Sequence, residues 1–147
     1  MMKFIPSILG VSIMVMMSTQ GVAGEINTSE GVAISGYDAV AYFTEEKPVK
    51  GNKAYSVTYK DAIFLFSSTE NRDVFQASPE KYLPQYGGYC AYGTASGYKA
   101  PIDPHAFTLD GGKLYLNYDQ NVQQSWRQDM PGYIRKADEN WPTVKTQ

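Results

Sequence analysis

The chain has 147 residues, with 13 Lys and Arg against 15 Asp and Glu and a net charge of −2. That length suits one domain able to bury a core of its own. The mild acidity and the lack of a basic cluster exclude a nucleic-acid face and attraction to anionic membranes. In chain order, MMKFIPSILGVSIMVMMSTQGVAG comes first. Lys3 supplies a short positive region, Phe4 to Met17 an apolar one, and Gly21-Val22-Ala23 the small residues of a cleavage site. This is the pattern of a secretory signal peptide, and the apolar run is short for a membrane span. The expectation is a leader over 1–23, a single domain over 24–147 starting near Gly24 or Glu25, and a periplasmic or secreted location without membrane attachment after cleavage. A lipoprotein is excluded because no cysteine adjoins the cleavage point.

Val32-Ala33-Ile34 reads as a short strand, and GYDAVAYF as one or two helical turns starting at Asp38. TEEKPVKGNK, 44–53, is a polar loop. In AYSVTYKDAIFLF, 54–66, Tyr55, Val57 and Tyr59 alternate with polar residues, the period of a half-buried strand. Lys60-Asp61 turns the chain, and Ile63 to Phe66 predicts a strand buried on both faces. Ser67 with Glu70 three residues later has the spacing of a capping box. It predicts a helix over about 68–77 with Val74 and Phe75 inward. Ser78-Pro79 opens a further turn carrying Tyr82 and Leu83.

QYGGYCAYGTASGYK, 85–99, follows, where the glycines oppose a long regular element and permit close backbone approach. AFTLDGGKLYLNYD, 106–119, is a second hairpin, turning at Asp110-Gly111-Gly112 with Leu114 and Leu116 on one face. Asp119 can cap a helix bearing Val122, Trp126 and Met130. Pro131 ends it and begins another, carrying Tyr133, Ile134, Ala137 and Trp141. The fold class is α+β: small antiparallel β-hairpins packed with short helices.

Chemistry centres on Cys90, the only cysteine. In an oxidising compartment such a thiol is buried, metal-bound, chemically used, or paired with another chain. His105 is the only histidine, and with Cys90 it could form a thiolate–imidazole pair oriented by Asp103; a loop histidine before a strand explains the same residues. Cys90, His105 and Met130 are a soft donor set suited to a copper ion, although helix-face packing is the better explanation of Met130. No closed zinc motif is present. Backbone N–H groups of GGYCAYG could stabilise a thiolate, so the Cys90 pKa is expected below the usual thiol value. Tyrosine is over-represented, 12 of 147 residues, and its apolar body with a polar tip suits a cleft. Tyr86, Tyr89, Tyr92 and Gly88 are the candidate lining around Cys90.

ISGYDAVAYFTEEKPVKG, AYSVTYKDAIFLFSSTENRDVFQASPEKYLPQYGGYCAYG and DGGKLYLNYD together resemble the exported YHS domain-containing (seleno)protein family over about residues 31–142. The YHS core by this resemblance is about 54–83. The resemblance implies a treble-clef-like core and an association with metal handling, including copper transport. It also shows a departure: Ser67 and Asn71 stand where the usual cysteines would be, so the usual cysteine metal site is not carried over. Some relatives use selenocysteine, and Cys90 is the position where its counterpart would stand, which implies a used chalcogen. The leading expectation is therefore a functional thiol at Cys90, helped by His105, in soft-metal (copper-like) binding or thiol redox work. The alternative is a non-catalytic binding module with a tyrosine-lined cleft for a small ligand or protein partner. A hydrolase stands third, and no enzymatic constellation is complete.

Overall fold

A computed structural model describes residues 2–3 and 24–147. Residues 4–23, with the apolar stretch and cleavage site of the expected leader, lie outside the described residues. Strands β1 (Thr28–Ser29) and β2 (Val32–Ala33) pair antiparallel. Strand β3 (Asn52–Tyr59) pairs antiparallel with β4 (Ala62–Phe66), and β2 joins β4 in parallel, giving the order β1-β2-β4-β3. A separate hairpin joins β5 (Asp103–Asp110) to β6 (Lys113–Asn117). Both hairpins turn on two residues with positive φ, Lys60-Asp61 and Gly111-Gly112, the twist that two-residue hairpin loops require.

The helices are short and begin where the sequence offers a cap. Asp38 caps α1 (Ala39–Thr44), Ser68 caps α2 (Thr69–Ala77), and Pro79 opens α3 (Pro79–Tyr82). After α4 (Ala91–Ala95), Asp119 caps α5 (Gln120–Arg127) and Asp129 caps α6 (Met130–Val144). The architecture is α+β, with small antiparallel hairpins and short helices, as the sequence predicts. The parallel β2–β4 pairing was not anticipated.

Two cores share one wall. Phe64, Phe66, Phe75, Tyr42, Leu114 and Leu116 belong to the first. Tyr115, Trp126, Ala91 and Ala137 belong to the second. Strand β6 separates them, because alternate side chains of a strand face opposite ways. Leu114 and Leu116 enter the first core, and Tyr115 enters the second. Asn117 follows Tyr115 at the same parity and is fully buried.

Three local expectations are corrected. Ile63 is 38% exposed; among the described residues the outer sheet face is left open at that point. Leu65, two residues on, is covered because the backbone at Gly51 lies against it, so closely that a Cβ there would come within 2.5 Å of the Leu65 backbone. Val74 is 40% exposed while Phe75 is fully buried: α2 offers only a narrow stripe to the sheet. The cap of α2 is Ser68, which accepts from Asn71 N at 3.1 Å. Ser67 is occupied elsewhere.

Candidate functional site

Cys90 occupies the N-cap position of α4. Its Sγ accepts from Gly93 N at 3.5 Å, as a serine Oγ would in the same place. Its own N–H donates to Ala100 O at 3.0 Å, which ties the helix start to the segment leading into β5. The thiol donates to Asn117 Oδ1 at 3.5 Å, and that oxygen also accepts from Tyr92 N at 3.1 Å. The Tyr92 N–H fixes which end of the carboxamide faces Cys90. Asn117 Nδ2 is left buried without a partner.

Cys90 is only 2% exposed. Burial pushes its thiol pKa up, against the opposing pull of backbone N–H groups at Gly93, Tyr118 and Tyr92; the Asp119 carboxylate adds to the rise. The expected direction is thus reversed. The glycine-rich loop does aim N–H groups at the sulfur, but desolvation outweighs them.

The sulfur borders a cavity of about 310 Å³, lined also by Tyr92, Tyr98, Pro101, Tyr118 and Val122. Its volume lies at the small end of ligand pockets. Tyr98 and Tyr118 are half exposed. The Tyr92 ring packs on Tyr133 with centroids 5.0 Å apart.

Of the tyrosines expected to line the site, only Tyr92 does so. The Tyr86 hydroxyl donates to Asp138 Oδ1 at 2.9 Å, and its ring borders a different cavity with Trp141 and Lys60. The Tyr89 hydroxyl donates to the Gly24 carbonyl at 2.7 Å, which Lys99 Nζ also reaches at 3.1 Å. Gly88 accepts from the Asn27 side chain at 3.1 Å, while Asn27 N donates to Gly87 O at 2.8 Å. The Tyr-Gly segment therefore receives the 24–27 segment as well as forming the cavity. Gly87 has φ +63°, and a Cβ there would fall 1.8 Å from the Glu25 carbonyl oxygen, so no side chain fits.

His105 is not beside Cys90. Its Nδ1 lies 3.2 Å from Asp103 Oδ1, as expected, but on an exposed surface with Tyr37 at a ring distance of 5.7 Å. Met130 packs against the second core. The soft donor set of Cys90, His105 and Met130 is not assembled. Among the described residues no group of three or more His, Cys, Asp or Glu could hold a metal.

The positions Ser67 and Asn71 have a different occupation. Asp38 is fully buried. Its Oδ1 accepts from Val40 N at 2.8 Å and Ala41 N at 3.1 Å. Its Oδ2 accepts from Ser67 N at 2.9 Å, Ser67 Oγ at 2.8 Å and Asn71 Nδ2 at 2.8 Å. A soft metal does not fit here: both side chains are committed as donors to one carboxylate, and neither is a soft ligand.

Residues 40–86 match the family model of the YHS domain. That segment of the chain is a YHS domain. No curated protein and no solved structure matches it. The YHS match takes in the β3–β4 hairpin and α1 to α3 and ends at Tyr86, so the Cys90 cavity lies outside it. Asn117, Tyr98, Tyr118 and Val122 are site residues that the sequence reading missed. For Asn117 a signal was present: strand alternation from Tyr115 places a polar side chain on a buried face. For Tyr98 and Tyr118 no local pattern pointed to a shared cavity.

Proposed function

We propose that this YHS domain-containing chain is a non-catalytic binding protein, exported to the periplasm or secreted, whose tyrosine-rimmed cavity above Cys90 takes a small ligand. The observation carrying this is the cavity itself: a neutral buried thiol at its wall, three tyrosines, and apolar side chains at Pro101 and Val122. Pockets of this kind bind through apolar contact, with a few polar groups fixing orientation. Backbone N–H groups at Gly93, Tyr92 and Tyr118 favour a second reading, thiol redox chemistry at Cys90; the raised pKa opposes it, since the thiolate is the reactive form. Membership of the exported selenocysteine-using relatives, with their treble-clef-like core, belongs to the same proposal. Copper handling, the association that the YHS resemblance brings, finds no soft donor set at Ser67 and Asn71.

Two measurements test the assignment. Benzyl alcohol titrated into ¹⁵N-labelled protein should shift the amides of Cys90, Gly93, Tyr118 and Val122 in a saturable way, and Val122→Trp should abolish this. No saturable shift at those amides would end the binding reading. Alkylation of Cys90 by iodoacetamide should be slow near neutral pH; fast alkylation would return the function to the thiol. Mass spectrometry of protein recovered from outside the cytoplasm should show loss of about the first 23 residues, as a signal peptide requires.

A further inference from the structure

Resting on that binding reading, we propose that the cavity at Cys90 is an aromatic cage for a methylated ammonium group. Three of its lining side chains are tyrosines, Tyr92, Tyr98 and Tyr118, and none is charged. Aromatic rings attract an organic cation through their quadrupole, and such cages are a general solution for quaternary ammonium head groups. The remaining lining, with Pro101, Val122 and the Cys90 sulfur, suits methyl groups and holds no cationic side chain to attract an anion.

One charge of the matching sign stands beside the cavity. Asp119 follows Tyr118 in the chain, and its carboxylate acts on the Cys90 sulfur. The same carboxylate caps α5 through Val122 N at 2.7 Å, so a full negative charge stands against the partial positive charge of that helix start. Lys99 sits between the lining residues Tyr98 and Ala100, but its ammonium is turned to the carbonyls of Gly24, Lys145 and Gln147 at 2.9–3.2 Å. The cage therefore has no basic side chain in its lining to repel a cation. Burial keeps the Cys90 thiol protonated, so the cage supplies no thiolate at neutral pH and selects by π-face and shape.

The cavity has room for a head group more than for an extended molecule. Tyr98 and Tyr118, both half exposed, stand at its open side. A strongly hydrated primary ammonium loses more on entering such a lining than a methylated one does, which sets the selectivity.

The test compares choline with its neutral isostere 3,3-dimethylbutan-1-ol, which replaces N⁺ by carbon at nearly constant shape. Binding is read by amide shifts at Gly93, Tyr118 and Val122, in wild type, Tyr98→Leu and Tyr118→Leu. Both substitutions are at half-exposed positions, and a thermal melt confirms folding. Choline should bind roughly 3- to 30-fold more tightly than the isostere, the range that cation–π attraction implies, and each substitution should shrink that ratio. Equal or tighter binding of the isostere would overturn the cage and leave the apolar pocket standing. Failure of both, with benzyl alcohol still mapping to the cavity, would overturn the cage alone. If benzyl alcohol fails too, the cage and the binding function fall together.

Discussion

Among the described residues, the buried polar centres at Asp38 and at Cys90–Asn117 are built on opposite plans. Asp38 is a full charge, which costs several kcal/mol to bury unless it is well compensated. Here it is compensated completely: both carboxylate oxygens are filled by short hydrogen bonds from α1, the end of β4 and α2. The Cys90–Asn117 centre is neutral and loosely closed. Its sulfur makes weak thiol hydrogen bonds, Asn117 Nδ2 has no partner among the described residues, and a cavity adjoins it. A saturated centre has nothing left to offer a ligand and holds the fold together. An unsaturated centre beside a cavity is a poor staple and a good place to bind.

The contrast can be calibrated on stability. Phe66 is fully buried and immediately precedes Ser67, so it anchors the strand end that reaches Asp38. Phe66→Ala should cost roughly 3–5 kcal/mol in urea unfolding, the usual range for a buried phenylalanine. A loss under about 1 kcal/mol would mean that the first core is not where the strand end is held. Asp38→Ala comes next, at about 2–4 kcal/mol, because donors at Ser67, Asn71 and the start of α1 lose their acceptor at once. If the variant melts with wild type, water reaches those donors and the centre is not a closed one.

Much of this was legible in the sequence wherever the cause is local. Lys60-Asp61 and Gly111-Gly112 announce their turns, and Asp38 and Asp119 announce the helices that they cap, because partner and signal lie within four residues. The bond from Asp38 to Ser67 and Asn71 spans about thirty residues, and no periodicity reports it. Ser67 shows the consequence: its spacing to Glu70 suggests a cap, but the distant carboxylate claims it and the cap falls to Ser68. The sequence makes Cys90 the centre of a candidate site, and it misassigns the partner. His105 was favoured because imidazole activates thiols; the residue that reaches the sulfur is Asn117, brought there by β6 parity and the docking of α4. The pairing of chemical types is a weaker guide than the strand that positions them.

Alkali should act first on the Cys90 side, although burial also raises the phenol of Tyr42 in the first core. Burial raises the Cys90 thiol and the phenols of Tyr86, Tyr89 and Tyr115, with Asp138 adding to the rise at Tyr86 and Tyr115. All four surround or adjoin the second core. Above about pH 8.5, where an ordinary thiol titrates, the unfolded chain has lost protons that the folded chain keeps. Stability contributed by these groups is therefore complete below that pH. It declines as pH rises, first through the ordinary thiol value and then through the tyrosine value near 10. Urea midpoints from pH 7 to 10.5 should fall steadily in wild type, and Cys90→Ala should delay the onset. A flat profile would show that these groups are as hydrated in the folded protein as in the unfolded one. The comparison would then lose its electrostatic side.

The smallest effect is the most informative. Cys90→Ala removes a sulfur that makes only weak, neutral contacts and stands at the edge of an existing cavity, so little packing is lost with it. Its N–H to Ala100 and its carbonyl to Thr94 are backbone bonds and survive the change. What disappears is one weak thiol donor and the cap on Gly93 N. The expected cost is about 1 kcal/mol or less, within the range of a single neutral hydrogen bond. The cavity should persist and enlarge toward Asn117, so benzyl alcohol should still bind and still shift the Gly93 and Val122 amides. A loss as large as that of Asp38→Ala would make Cys90 a staple like the carboxylate and erase the distinction between the two centres. A small loss together with abolished binding would instead place the sulfur itself among the groups that touch the ligand, and give the only cysteine of the chain its role there.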